Sequence, residues 1–216
     1  MRFARLFFNS LCFVDLTAFF GYNRGMRTDY IKPSVYNKLY MILQYENALA
    51  LRLSLETGMR ISDVLNLRVE QLEGRTITYT ISKTKKEDKK VISADLAKRL
   101  LQISGKNWLF TGRFGNKPRS RSAVWKDIKK ASKILNLSEN VGCHSARKTY
   151  AVEKFHQDGI AETQKALAHD RVNTTMIYAF SDMLVNDKHP NAVVDDELAE
   201  RIADKVMLKL KENFSD

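Results

Sequence analysis

Cysteine is almost absent from this chain of 216 residues, which contains only Cys12 and Cys143, far apart in the sequence. Because neither belongs to a C-x-x-C pair, no disulfide framework and no structural zinc site is predicted. Cys143 is expected to be a small buried residue. Long apolar runs are also absent, since the run that follows Met1 is interrupted by Asp15 and is too short and too polar to span a membrane. We therefore expect a reducing, cytoplasmic setting and no membrane partner.

Acidic residues are outnumbered by basic ones: 25 Asp and Glu stand against 36 Lys and Arg, for a net charge of +11. Such an excess favours a polyanionic partner, although charge alone does not exclude an ordinary basic soluble protein. Hydrophobic residues make up 44% of the chain, which is enough for one domain with its own core. No internal repeats or low-complexity tracts interrupt it.

The hydrophobic periodicity predicts a mainly α fold with a small antiparallel sheet. One long helix, or two, follows Pro33 and ends at Gly58, and a short helix starts near Ile61. Alternating β-branched residues at 76–81 predict a strand, the charged residues 83–90 a turn, and residues 91–92 a return strand. Further helices are predicted at 94–103, 122–135, 145–157, 160–168, 174–180 and 198–210, with a short apolar strand or plug at 108–110 and a basic loop at 112–121.

Six polar residues follow one another in an order that suits attack on a phosphodiester. They are Arg60 in TGMRISD (57–63), Lys83 in ISKTKK (81–86), His144 and Arg147 in HSAR (144–147), His169 after Leu-Ala, and Tyr178 in TTMIY (174–178). Cleavage of such an ester without a metal requires that the phosphoryl oxygens be neutralised and the leaving oxygen protonated. Taken singly, each residue has an ordinary structural explanation, so the prediction depends on the set.

Each member of the set has a predicted role. Arg60 and Arg147 grip the phosphate, because a planar guanidinium binds two oxygens and stays charged. Lys83 acts as the general acid toward the 5′ oxygen, with Lys85 or Lys86 as alternatives. Tyr178 attacks phosphorus, with His144 as the base and His169 as a hydrogen-bond donor to the phosphate. No cofactor is predicted, neither metal nor ATP.

These motifs, in this order, resemble the catalytic domain of the tyrosine recombinase (phage integrase) family over residues 34–180. The resemblance implies cleavage and rejoining of DNA through a 3′-phosphotyrosyl intermediate, and it implies that Asp63 supports the site from behind Arg60. It also implies a homo-oligomer, with four protomers on two DNA duplexes and a C-terminal helix exchanged between protomers. Members usually carry an N-terminal helical domain, and fewer than 60 residues precede Arg60 here, so that domain is expected to be missing. Short recombinases of the fimbrial inversion type are similar in this respect.

Three regions are predicted on this basis. Residues 1–30 form an N-terminal extension, helical or poorly ordered, with Met26 as an alternative start; residues 31–181 form the catalytic domain. Residues 182–216 form a linker and a C-terminal helix that docks on a neighbouring protomer or on its own domain. Candidate DNA-binding residues are basic side chains of the hairpin, the loop and one helix face: Lys85, Lys86, Arg119, Arg121, Lys126, Lys129, Lys130 and Lys133.

Three functions are compatible with these observations. The first is a site-specific recombinase or integrase of a mobile element or phage, associated with the nucleoid of a prokaryote. The second is a DNA-binding regulator of the same fold that no longer cleaves, and the third is a relaxing enzyme like the type IB topoisomerases. A binding module has no need of Lys83 or Tyr178, which favours an enzyme.

Overall fold

A computed structural model describes residues 28–168 of the chain. Its helices are α1 (Pro33–Ile42), α2 (Tyr45–Thr57), α3 (Ile61–Leu65), α4 (Ala94–Ile103), α5 (Arg121–Ile134) and α6 (Ser145–Ala166). Its strands are β1 (Leu72–Glu73), β2 (Thr76–Thr80) and β3 (Glu87–Val91), which form an antiparallel sheet in the order β1-β2-β3. The predicted fold class, mainly helical with a small antiparallel sheet, is confirmed.

The region after Pro33 contains two helices, because the chain is extended at Leu43 between α1 and α2. α2 ends at Gly58, whose φ of 70° lies in the left-handed region that glycine adopts at helix ends. A Cβ at Gly58 would lie 2.4 Å from Cδ1 of Tyr150 and 3.1 Å from Cδ2 of Leu167. Glycine therefore also permits the close approach of α6 to this turn.

The sheet corrects one prediction. The charged residues 87–90 do not turn the chain but belong to β3, which pairs with β2 from Thr80 opposite Glu87 to Thr76 opposite Val91. The turn lies earlier, where the amide of Ile81 donates to the carbonyl of Lys86 over 2.9 Å. Backbone pairing is available to any residue with a free N–H, so a charged strand can form at a sheet edge. β1, with two residues, was not predicted.

α4 has the predicted bounds, and the side chain of Ser93 accepts the amide of Leu96 at its start. The apolar segment that follows is a plug rather than a regular strand: Leu109 and Phe110 are fully buried, and Trp108 makes an isolated bridge with Arg68. The basic loop then leads to α5, which begins at Arg121, the last residue assigned to that loop.

α5 and α6 follow the predicted periodicity with two adjustments. Val124, Ile128 and Ala131 of α5 are buried, but Ile134, expected on the same face, is 58% exposed at the helix end. α6 is interrupted at Gly159, where φ is 76° and ψ is −174°, so it consists of the two predicted helices joined at a kink. The second of these ends at Ala166.

The core lies between α2 and the elements that pack on it, α3, α4 and α6. It includes Cys143, which is buried as predicted. Among residues 28–168, no helix is long and apolar enough to cross a lipid bilayer. The predicted helices at 174–180 and 198–210, and residues 1–27 of the extension predicted at 1–30, lie outside the described residues.

Candidate active site

Arg60 occupies the turn between α2 and α3, with extended backbone as the residue that precedes the short helix. Its Nη1 lies 4.0 Å from Oδ2 of Asp63, whose side chain is 3% exposed. The other carboxylate oxygen of Asp63 accepts the amide of Ser82 over 3.4 Å. A buried carboxylate therefore faces Arg60 from within α3, and it also contacts the hairpin turn.

Lys83 directly follows Ser82 in that turn. The contact between Asp63 and the Ser82 amide therefore ties the turn of Lys83 to α3, the helix that directly follows Arg60. Lys83, Lys85 and Lys86 are all exposed, so exposure does not distinguish among them. The assignment of Lys83 as the general acid stays a prediction.

Arg147 lies in the first turn of α6 and is 5% exposed. Its Nη1 donates to the carbonyl of Gly58 over 2.6 Å, and its Nη2 donates to the carbonyl of Leu167 over 2.8 Å. Since Gly58 is separated from Arg60 by a single residue, the guanidinium of Arg147 lies beside the turn that carries Arg60. The fold brings these two arginines, predicted as the phosphate clamp, into one region.

His144 is the residue that directly precedes α6, three positions before Arg147. Its Nε2 lies 3.4 Å from Nη2 of Arg121. Burial lowers the pKa of His144, and the positive charges of Arg121, Arg147, Arg60 and Lys148 lower it further. The imidazole is therefore held in its neutral form, which is the form that accepts a proton.

The two remaining members of the set, His169 and Tyr178, lie outside the described residues. The last described residue, Ala168, precedes His169 in the sequence, and the carbonyl before it is the one that binds Nη2 of Arg147. Leu167, two positions before His169 in the sequence, is therefore held by Arg147. Within residues 28–168, no three His, Cys, Asp or Glu side chains are grouped as they would be around a metal ion.

The predicted DNA-binding residues differ in their surroundings. Lys126, Lys130 and Lys133 of α5 are exposed, and Arg121 is exposed at the end of α5 nearest His144. Lys129 is partly buried and donates to the side chain of Asn140.

Arg119 has protein partners. Its guanidinium donates to the side-chain carbonyls of Asn47 and Gln44, and Asp127 of α5 accepts the amide of Gln44 and the side-chain amide of Asn47. The guanidinium thus links the loop to the start of α2. Its assignment to DNA binding stays a prediction.

Two contacts were not foreseen. Arg121 was predicted to bind DNA, but its place beside the ring of His144 was not inferred, because residues far apart in sequence give no local signal of contact. Nζ of Lys90, a residue to which no role was assigned, donates to the carbonyl of Ala166 over 2.7 Å. The spacing of Asp88 and Lys90 on one strand face was the available signal.

The sequence of this chain is similar to those of known recombinases and integrases. A family model described as the phage integrase family matches residues 29–184. A probable integrase/recombinase of Bacillus subtilis, YoeC, is 30% identical over 130 residues, which cover 57% of this chain and 71% of that protein. The tyrosine recombinase XerD of Staphylococcus saprophyticus is 25% identical over 166 residues, or 68% of this chain and 56% of that protein.

Solved structures of recombinases share the fold. The catalytic domain of bacteriophage HP1 integrase matches with a TM-score of 0.57 at 20% identity and covers 78% of this chain and all of that chain (100%). XerH, in a post-cleavage complex with palindromic difH, matches with a TM-score of 0.58 at 20% identity over 74% of this chain and 52% of that chain. The chain thus spans about half the length of XerH and of the staphylococcal XerD. Because the family match extends over most of the sequence, this chain belongs to the phage integrase, or tyrosine recombinase, family and has the fold of its catalytic domains.

Proposed function

We propose that this protein is a site-specific DNA recombinase or integrase that cleaves and rejoins DNA through a phosphotyrosyl intermediate. The observation that carries the proposal is the convergence of Arg60, His144 and Arg147, with the turn of Lys83 attached through Asp63. Membership of the family supports it. A cytoplasmic location on the nucleoid of a bacterium, or of a bacterium infected by a phage, is part of the same proposal.

In the proposed reaction, the arginines of the site neutralise the phosphate, and His144 and Lys83 transfer protons. A phosphodiester of DNA binds between Arg60 and Arg147, whose guanidinium groups neutralise its oxygens as charge develops on them. The hydroxyl oxygen of Tyr178 forms a bond to phosphorus, and its proton passes to neutral His144. The bond to the 5′ oxygen breaks, and Lys83 supplies the proton that this oxygen takes up.

The product is a 3′-phosphotyrosyl ester with a free 5′ hydroxyl. Attack by a 5′ hydroxyl on that ester reverses the step and releases Tyr178. Because one ester replaces another, rejoining requires no external energy source in this scheme. His169 completes it as a hydrogen-bond donor to the phosphate.

The proposed partner is double-stranded DNA, bound by an assembly of four protomers with exchange of the C-terminal helix. Structures of related recombinases support the comparison, since λ integrase is described as a tetramer bound to a Holliday junction and XerH as bound to its difH substrate. In this chain the exposed lysines of α5, next to the arginine that contacts His144, offer a surface for the DNA backbone.

The test is covalent capture of DNA by the full chain. Nicked duplexes that tile the DNA flanking its own gene are incubated with the protein, and the products are separated on a denaturing gel. We expect a slower band that protease removes, and we expect Tyr178→Phe to abolish it while DNA binding persists. Tyr150→Phe is the matched control, because Tyr150 packs close to Gly58 beside the site. Binding without any covalent band would favour the non-cleaving regulator, and relaxation of supercoiled plasmid without strand exchange would favour the topoisomerase-like enzyme.

A further inference from the structure

The edge strand β3 has an inverted pattern of side chains. Asp88 and Lys90 are partly buried, opposite Tyr79 and Ile77 of β2, which face the core. Val91, the apolar residue of the strand, is 67% exposed. Charged groups on the core side of a sheet cost free energy unless they find partners, so their position requires an explanation.

The partners of these charges form a chain of contacts. The hydroxyl of Tyr79 donates to Oδ2 of Asp88 over 3.1 Å, and the same oxygen lies 3.1 Å from Nζ of Lys90. Lys90, with its side chain 14% exposed, donates to the carbonyl of Ala166 over 2.7 Å. Burial and the nearby carboxylate raise the pKa of Tyr79, so its hydroxyl keeps the proton that it donates.

Ala166 is the last residue of α6, where helix carbonyls lack partners within the helix and attract cations. The next carbonyl, that of Leu167, binds Arg147, and Ala168 then takes a φ of 48°. Two cations from different elements thus hold two successive carbonyls at the point where the chain continues to His169.

We propose that Asp88 and Lys90 are positioning residues that fix the end of α6 and thereby set the place from which the segment of His169 and Tyr178 departs. The inference rests on the proposed function. Asp88 orients Lys90, Lys90 holds Ala166, and the strand that carries both belongs to the hairpin of Lys83. One hairpin thus carries the predicted acid and also contacts the end of α6, after which the predicted nucleophile follows in the sequence. Inward-pointing charges can also protect a sheet edge from pairing with other chains, but that role does not require the bond from Lys90 to Ala166.

The test compares Lys90→Met with Lys89→Met in the full chain. Lys89 is exposed on the same strand, so both variants lose one charge from the hairpin. We expect Lys90→Met to slow covalent capture of nicked DNA roughly ten- to hundredfold, because small misplacements of reacting groups have costs of this order. DNA affinity should match that of Lys89→Met, and Lys90→Arg should restore the rate. Equal capture rates for Lys90→Met and Lys89→Met, or a Lys90→Arg variant as slow as Lys90→Met, would overturn the proposal.

Hydrogen exchange of backbone amides tests the tether, which is the bond from Lys90 to the carbonyl of Ala166, without requiring cleavage of DNA. The amides of Leu167 and Ala168 donate to the carbonyls of Thr163 and Lys165, and we expect them to exchange faster in Lys90→Met and in Asp88→Asn than in Lys89→Met. Unchanged exchange at these amides would contradict the tether even if capture slowed. If the wild-type chain captures no DNA although its site is bound, the proposed function fails; if it captures DNA and Lys90→Met does so equally fast, only the present inference fails.

Discussion

Arg147 is a buried residue whose side chain links two turns of the candidate site. Its two described acceptors, the carbonyls of Gly58 and Leu167, belong to the turn before Arg60 and to the turn before His169. These two bonds fix the orientation of the guanidinium relative to both turns. In the proposed reaction, a guanidinium already held in one orientation needs little reorientation when the phosphate binds.

The neighbour of His144 gives a prediction at the same scale. Replacement of Arg121 by Met removes a positive charge 3.4 Å from the imidazole, so the pKa of His144 should rise. A general base must be neutral, and its activity is lost as the pH falls through its pKa. The acid limb of the pH–rate profile for covalent capture should therefore lie below pH ~6.5 in the wild type and move to higher pH in Arg121→Met.

Lys98→Met serves as the control for this titration, because it removes an exposed charge from α4. Its acid limb should coincide with that of the wild type. An Arg121→Met profile that also coincides with the wild type would show that Arg121 does not set the ionisation of His144.

The turn between α2 and α3 determines where Arg60 lies, and Gly58 is the residue that makes it. Gly58→Ala would place a methyl group 2.4 Å from Tyr150 in addition to the strain of a positive φ. We expect a loss of unfolding free energy of roughly 2–4 kcal/mol in urea. Gly74→Ala has the same kind of strain, with φ at 59°, but its methyl group meets no atom within 4 Å.

The loss for Gly74→Ala should therefore be about 1 kcal/mol. Similar losses for the two variants would mean that close packing of Tyr150 is not what Gly58 provides.

Elements with strong local signals were predicted well, and those formed by long-range contacts were not. α4 has a capping serine and a clear amphipathic period, and its bounds were correct. The kink at Gly159 followed from the glycine itself. β3 was placed too late, because its charged residues have low strand propensity and are held there by pairing with β2. β1 is too short for any period to be recognised.

In the candidate site, too, the residue types could be predicted from the sequence, whereas their long-range contacts could not. The residue types and their order predicted Arg60, His144 and Arg147 together, and the fold places them in one region. The partners that orient them are carbonyls and side chains distant in sequence, such as Leu167 for Arg147 and Ala166 for Lys90. No sequence pattern identifies a carbonyl as a ligand, since every residue has one.

At the scale of the whole molecule, the net charge of +11 predicts binding that depends strongly on salt. Replacement of the exposed lysines of α5 by glutamine, at Lys126, Lys130 and Lys133, should reduce the slope of log affinity against log salt by about 0.9 for each one that contacts a phosphate. Binding is measured with the same duplexes at a series of salt concentrations.

The matched control is a second triple variant, with glutamine in place of Lys32, Lys38 and Lys98. These lysines are exposed and lie just before α1, on α1 and on α4. It has the same net charge as the α5 variant. Equal slopes for the two triple variants would show that α5 is not the surface on which the DNA backbone lies.

The most direct measurement of the central claim is the site of attachment of DNA to the protein. Trypsin cleaves after Arg171 and Lys188, so residues 172–188 form a peptide in which Tyr178 is the one tyrosine. After capture of nicked DNA and nuclease digestion, mass spectrometry should find the residual nucleotide on Tyr178 of this peptide. A nucleotide on any other peptide would contradict the account, as would a captured complex in which Tyr178 is unmodified.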